Sequence, residues 1–395
     1  MASLPLDGLD LAALRAALTS LGADGWLLFD FHGLNPIAGR VVGVRGLGTR
    51  RYFVWLPRSG TPVAVAHKIE LDPFTGFPGE IRPYAAWPEL HAALTALVKG
   101  KVVALETSTD DNVPYLDRVP HGVVQLLERC GARVVSSAAL VTQFAARWSA
   151  EEVAGHRRAA ELLAEIAREA IEWAGAQVAA GAEVRETGVQ RRVREAFDRA
   201  GLYTDHGPIV GVQENAANPH YEPVAGSDKV LGKDQVLLLD LWAGPSRGSV
   251  FADQTWMGFT GRQPPADVRK VWETVRGARD AAVELLRARW KAGTPVTGAA
   301  LDDAARGVIE RAGFGAHFVH RTGHSIDRDL HGSGPHLDNF ETSADRVLMA
   351  GIGFSVEPGI YLTGRFGMRS EINVFLGETG PEVTPRTPQG DLFLV

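Results

Sequence analysis

The chain has 395 residues, 45% of them apolar, with 41 basic and 47 acidic residues and a net charge of -6. That length exceeds one ordinary hydrophobic core and predicts two domains, and scattered basic residues outnumbered by acids argue against a nucleic-acid surface. No apolar run is long enough to span a bilayer, and the one cysteine, Cys130, excludes an internal disulfide and fits a reducing cytoplasm.

The first twenty residues alternate Leu and Ala with Asp7, Asp10 and Arg15, which predicts an amphipathic helix rather than a signal peptide. Residues 1 to about 145 read as an α/β unit in which short apolar strands alternate with helices. Strands are expected at Gly25–Asp30, Tyr52–Leu56, Pro62–Ala66 and Lys101–Leu105, and helices at 10 to 21, 88 to 99 and 120 to 130, with Gly22 and Gly131 as C-terminal stops. Gly39–Arg51 combines four glycines with Arg40, Arg45, Arg50 and Arg51. It reads as a solvated turn or as a basic flap that meets an anionic substrate group.

Ser136–Trp148 is the expected hinge region, because Ser149-Ala-Glu-Glu152 is a capping box that opens a much longer helix. Ala159, Leu162, Leu163, Ile166, Ala170 and Ala174 form its buried stripe, and Gly181 ends it. Thr187-Gly-Val-Gln190 matches a second capping box, for a helix ending at Gly201. A strand from Pro208 follows, then two strands, Val236–Trp242 and Ser249–Trp256, facing each other across Gly244–Gly248. This hairpin carries Asp240 and Asp253.

The same order then recurs. Helices from about Pro265 to Lys291 and from about Thr297 to Arg311 precede a strand-like Ala316–His320, and a second hairpin spans Gly353–Val374 with its turn at Thr363–Gly367. It carries Glu357 and Glu371. Asp240 and Glu357 are 117 residues apart and Asp253 and Glu371 are 118 apart, so residues 149–395 read as two copies of one helix-helix-hairpin plan. A pseudo-twofold arrangement would bring the four acids together. Carboxylates amid Ile, Val, Phe and Leu repel one another and resist desolvation, so they need a cation between them. His320–His331 adds three histidines, and one neutral imidazole with four carboxylates balances two divalent ions, suited to manganese, cobalt or zinc. Paired ions that share a water lower its pKa and polarise a carbonyl, the equipment for amide hydrolysis.

Pro219-His220-Tyr221, Asp240, Ala252-Asp253-Gln254-Thr255, Gly323-His324 with His331 seven residues on, Val356-Glu357-Pro358-Gly359 and Met368-Arg369-Ser370-Glu371 occur in that order. The set resembles the pita-bread (M24) metallopeptidases, the family of methionine aminopeptidase, aminopeptidase P and prolidase. The N-terminal unit resembles the creatinase-like domain of aminopeptidase P and prolidase, which argues against a methionine aminopeptidase. The resemblance implies an α/β N-terminal domain over 1–145 and an α+β pita-bread catalytic domain over 149–395 with an internal pseudo-twofold repeat. It implies two divalent ions, Mn2+ or Zn2+ with Co2+ as a further choice: Asp240 holds one, His324 and Glu357 hold the other, and Asp253 and Glu371 bridge them. A bridging hydroxide would attack the scissile carbonyl, with Glu357 as proton acceptor. His331 and His220 would hydrogen-bond the substrate, Arg369 would orient Glu371, and His320 is a pocket-wall candidate. Asp327 stands where the family often has glycine, and family members are commonly homodimers.

The reaction implied is hydrolysis of the bond preceding proline, a tertiary amide that a ring-shaped pocket can select. A dipeptide brings its own carboxylate, which Arg45 and Arg50 of the Gly39–Arg51 segment could meet. That favours an Xaa-Pro dipeptidase in the cytoplasm, with an Xaa-Pro aminopeptidase as the alternative. A metal-free creatinase-like hydrolase and a non-catalytic binding module also stay open, both disfavoured because all five ligand positions are filled.

Overall fold

The computed structural model describes residues 4–44 and 48–395. In its first unit, Met1–Ala146, the elements run α1 (Leu11–Leu21), β1 (Gly25–Asp30), α2 (Pro36–Val42), β2 (Tyr52–Pro57), β3 (Val63–His67), β4 (Glu80–Tyr84), α3 (Trp87–Val98), β5 (Val102–Leu105), α4 (His121–Arg129), β6 (Arg133–Ser136) and α5 (Ala138–Phe144). The strands form one mixed sheet in the order β4-β3-β2-β1-β5-β6. Apolar residues run uninterrupted through β1 because both its faces are covered. Trp26 and Leu28 pack with Leu14, Leu18 and Leu140, whereas Leu27 and Phe29 pack with Leu90, Leu94 and Leu126. Helix α1 begins where Asp10 accepts from the Ala12 and Ala13 amides, and it ends at Gly22 in the left-handed region.

One expectation needs correction here: Gly39–Val42 complete α2 rather than opening a turn. Within the expected hinge segment Ala138–Phe144 is helical and buries Leu140 and Val141 in the core of the first unit, and the two units divide after Ala146.

The second unit, Arg147–Val395, runs α6 (Ala150–Ala179), α7 (Glu186–Ala200), β7 (Ile209–Val212), β8 (Val236–Ala243), β9 (Ala252–Phe259), α8 (Ala266–Lys291), α9 (Gly298–Arg311), β10 (Ser325–Ile326), β11 (Gly353–Val356), β12 (Gly359–Leu362), β13 (Phe366–Arg369), β14 (Ile372–Gly377), β15 (Gly380–Thr384) and β16 (Phe393–Leu394). The duplicated plan is visible: α6, α7 and the β8-β9 hairpin are followed by α8, α9 and the β11-β14 hairpin, in sheets ordered β16-β9-β8-β7 and β10-β11-β14-β15. The Ser149 capping box is formed, with the Ser149 hydroxyl accepting from the Glu152 amide and the Glu152 carboxylate from the Ser149 amide. The α6 stripe then buries Leu163, Ile166, Ala170 and Ala174 against Leu237, Leu239 and Trp256 of the first hairpin.

The second capping box does not form. Helix α7 starts at Glu186, and the Thr187 hydroxyl donates to Asp228 from a distant loop instead of capping its own helix. Ala316–His320 is likewise no strand, since Gly315–His317 is a single 3-10 turn. Among the described residues no helix is long and apolar enough to cross a membrane.

Helix α6 also buries His156, whose Nδ1 lies 3.0 Å from the Phe251 carbonyl and whose Nε2 lies 2.8 Å from the Thr384 hydroxyl. Burial pushes its pKa down from 6.5 to about 4. The unfolded chain therefore takes up a proton as pH falls through 6.5 that the folded chain refuses until about 4, so this contribution is complete above pH 6.5 and shrinks toward pH 4. The linked loss is on the order of 3 kcal/mol over that window. Urea unfolding at pH 7 and pH 5 is expected to show a smaller pH difference in His156→Gln than in the unmodified protein, and equal differences would refute the assignment.

Candidate metal centre

The two hairpins supply the acids differently. In the first, Asp240 lies opposite Thr255 and Asp253 opposite Trp242, so Asp240 and Asp253 are diagonal neighbours on one face of a regular ladder. In the second, each long strand expected is broken at its acid. Val356 pairs with Ile372 and Gly359 with Arg369, and Glu357 and Glu371 occupy the steps between the β11-β14 and β12-β13 pairs. Pro358, which has no amide hydrogen to continue a ladder, stands at one of those breaks. The Asn373 side chain joins the copies, accepting from the Asp253 amide at 2.9 Å and donating to the Asp253 carbonyl at 2.7 Å.

Asp253, His324 and Glu371 are buried and offer ligand atoms that all lie within 4.8 Å of one another. His324 Nε2 is 3.3 Å from Asp253 Oδ2 and 3.3 Å from Glu357 Oε1. Its other nitrogen, Nδ1, is 3.1 Å from the Ser325 carbonyl, a contact that fixes the proton on Nδ1 and turns Nε2 toward the acids. Gly323 lets this segment approach β11 closely. The Ser355 hydroxyl there accepts from the His324 amide at 2.9 Å and donates to Glu357 Oε1 at 3.0 Å. Asp240 is held by the Arg369 guanidinium. Arg369 Nε also donates to the Thr255 hydroxyl at 2.7 Å, which donates to Glu371 Oε2 at 2.8 Å. Arg369 thus orients Glu371 through Thr255 as well as pairing with Asp240.

Electrostatics mark the cluster as short of positive charge. Burial, then repulsion from Asp253 and Glu357, raises Asp240 to about 7 against the pull of Arg369. Burial and the same neighbours push Glu371 well above the carboxylate range, and burial also raises Asp253. Burial works to raise Glu357 too, but the positive fields of His324 and Arg369 overcome it and bring Glu357 down to about 2. Glu371 Oε1 is buried with no hydrogen-bond partner. An acceptor-only oxygen facing three other carboxylates, beside an imidazole nitrogen aimed at them, is a donor set that fits a divalent cation.

The remaining candidates fall in three places. The His331 ring lies tilted against His324, with ring centroids 4.3 Å apart, and the His324 charge holds its pKa well below the usual range, with His220 among the groups that reach it. His220 is exposed on the loop after β7. His320 forms part of the wall, with Nε2 2.8 Å from the Tyr361 hydroxyl. Burial brings it to about 4, so it is a neutral ring. Arg50 belongs to the first unit, where with His32, His67 and Glu70 it lines a pocket of about 340 Å³, and Arg45 lies outside the described residues. Tyr361, Ser355 and Thr255 reach the site although none of them was assigned a role from the sequence, Thr255 having been named only as part of the Asp253 motif. The signal for the first two was a polar side chain inside an otherwise apolar strand. Asp327, where glycine was expected, accepts from the Asp329 amide at 2.8 Å and the Ser333 amide at 2.9 Å, closing the loop that carries His331.

The model of metallopeptidase family M24 matches residues 154–378, more than half of this chain. The chain is 32% identical over 195 residues, 49% of its length, to a probable dipeptidase PepE of Mycobacterium tuberculosis. It is 34% identical over 163 residues, 41% of its length, to an Xaa-Pro dipeptidase of Lactobacillus helveticus. These matches cover 48% and 40% of the two proteins, so the chain spans about half the length of the curated relatives it matches, or less. A crystal structure of dipeptidase PepE from Mycobacterium ulcerans superposes with a TM-score of 0.73 at 26% identity, covering 98% of this chain and 96% of that one.

Proposed function

The chain belongs to metallopeptidase family M24, and from that premise we propose that it hydrolyses Xaa-Pro dipeptides with divalent cations held by Asp240, Asp253, His324, Glu357 and Glu371. The observation that carries this reading is the buried His324 nitrogen facing Asp253 and Glu357 at 3.3 Å, with the unpartnered Glu371 oxygen beside them. Asp240 would serve one cation, His324 and Glu357 a second, and Asp253 and Glu371 both. When bound, such a pair lowers the pKa of a shared water and polarises the scissile carbonyl.

The chain's own groups have distinct tasks. Ionised Glu357 is available to take a proton, and Ser355 holds its carboxylate in place. Neutral His331, with His220 close enough to act on it, can donate to the substrate and to charge developing on its carbonyl oxygen, and His220 is proposed to share that task. Neutral His320, fixed by Tyr361, offers an uncharged wall suited to an apolar ring. The name of the Lactobacillus relative supports a proline-directed dipeptidase, and the lone cysteine supports a cytoplasmic setting.

Hydrolysis of an Xaa-Pro dipeptide and an Xaa-Pro-Xaa tripeptide, compared with added manganese, zinc and cobalt, tests the proposal. The dipeptide is expected to be cut faster. Faster cleavage of the tripeptide would make this an Xaa-Pro aminopeptidase, and absence of both metal and activity would return the chain to a metal-free hydrolase or a binding module. Arg50→Ala is expected to raise KM for the dipeptide about tenfold if its guanidinium meets the substrate carboxylate. An unchanged KM would remove Arg50 from the substrate site.

A further inference from the structure

Two buried carboxylates outside the metal cluster lie in the first turns of the second helix of each copy. Glu186 opens α7, the second helix of the first copy, and Asp302 lies in the first turns of α9, the second helix of the other. They are 116 residues apart whereas the helices that carry them start 112 apart, so Asp302 sits one turn further along its helix than Glu186 does, and both are 0% exposed. An acid near a helix start ordinarily faces water. These two turn inward and accept hydrogen bonds from segments far along the chain.

Glu186 gathers both ends of the loop that carries His220. Its Oε1 accepts from the Val212 amide at 2.7 Å and the Asn215 side chain at 3.0 Å. Its Oε2 accepts from the Tyr221 hydroxyl at 2.6 Å and the Lys229 amide at 2.8 Å. Between those anchors Gln213 is held at φ 52, a left-handed conformation that a non-glycine residue adopts only under constraint. Asp302 does the corresponding work ahead of His324. Its Oδ1 accepts from the Thr322 amide at 2.9 Å and the Thr322 hydroxyl at 2.6 Å, and its Oδ2 accepts from the Asn339 amide at 3.1 Å. It also pairs with Arg306, which donates to the carbonyls of Phe318 and His320 at 3.1 and 2.8 Å.

We propose that Glu186 and Asp302 are positioning residues, each fixing the segment that brings its own copy's histidines to the site: His220 through Glu186, His320 and His324 through Asp302. The inference rests on the proposed Xaa-Pro hydrolysis. A carboxylate suits the task because every partner donates, and a carboxylate only accepts. An isosteric amide would set an NH2 group against at least one of those donors, freeing a loop end without removing bulk. The two residues should act on different quantities, because His220 serves the substrate whereas His324 belongs to the cation cluster.

The test compares Glu186→Gln and Asp302→Asn in the full chain by hydrogen exchange, Mn2+ titration and dipeptide kinetics. For Glu186→Gln the expected result is faster exchange confined to residues 212–229, a rise in KM within the 10- to 100-fold range of lost outer partners, and unchanged Mn2+ affinity. For Asp302→Asn it is faster exchange over residues 318–324 with Mn2+ affinity reduced by a similar factor. Local loosening with unchanged KM and Mn2+ affinity would overturn the proposal, as would equal losses of both quantities in both variants. Should Glu186→Gln fail to fold, Tyr221→Phe removes one bond from the loop side alone, and an unaltered KM there would count against the role of Glu186. Exchange and titration do not depend on the substrate, so unmodified protein that fails to cut Xaa-Pro dipeptides would refute the proposed reaction while the structural part of the inference is still decided.

Discussion

Replacing Glu371 with glutamine is expected to lower hydrolysis on the order of a thousandfold, the scale of losing one preorganised charged group, and to abolish tight Mn2+ uptake. The metal-free protein should nevertheless be at least as stable as the unmodified chain. Burial together with Asp253, Glu357 and Asp240 pushes the Glu371 pKa well above the usual range, so without a cation the charged form is disfavoured, and an amide removes that charge while keeping the shape of the side chain. The sign of the accompanying pH effect follows from Asp240. Its folded pKa, about 7, exceeds the ordinary aspartate value of 3.8, so its contribution is complete below about pH 4 and is lost as pH rises toward 7. Thermal unfolding in chelator should therefore show Asp240→Asn gaining on the unmodified protein between pH 5 and pH 8. If Glu371→Gln retained full hydrolysis, or bound Mn2+ as tightly as its parent, the proposed ligand set would be wrong.

Gly323→Ala is expected to cost about 100-fold in kcat/KM although glycine contributes no functional atom. A Cβ there would sit 2.1 Å from the Ser355 carbonyl oxygen, well inside contact distance, so the segment bearing His324 would have to move off β11. The same segment is pinned by the Ser355 amide donating to the His324 carbonyl and the Glu357 amide donating to the Thr322 carbonyl, at 2.8 and 2.7 Å. Relief of the clash by about 1 Å would carry the imidazole out of line with Asp253 and Glu357, and misplacement on that scale costs a catalyst about 100-fold. Gly188→Ala is the control, since a Cβ at Gly188 in α7 meets nothing within 4 Å. Steady-state kinetics on both variants decide the matter, and similar values for the two would show that the approach of His324 to β11 is not needed.

The elements that announced themselves in the sequence were those whose signal is local. Uninterrupted apolar runs gave β1 and β8, glycines in the left-handed region closed α1 and α7, and the Ser149 capping box opened α6. The five proposed ligands were recognisable because each interrupts an apolar or glycine-rich segment where a charge needs a reason. Failures occurred where a distant partner overrode local preference. Thr187 has the residues of a capping box around it, but Asp228 claims its hydroxyl. Ala316–His320 has the composition of a strand, yet the carbonyls of Phe318 and His320 are satisfied by Arg306 instead of a neighbouring ladder. Glu186 and Asp302 escaped notice for the same reason, because an acid early in a helix is the ordinary surface pattern and only burial distinguishes these two.

The Asn373 side chain clasps the Asp253 backbone across 120 residues of intervening chain. During synthesis, Asp240 and Asp253 must emerge well before the residues that complete their surroundings, and contacts between such distant positions form slowly because a long loop has to close first. The nascent first hairpin is therefore a pair of acids with no imidazole and no arginine beside it. With the proposed ligand set, capture of a cation would consequently be a late event in the life of this polypeptide, following the docking of the two copies that supply the ligands.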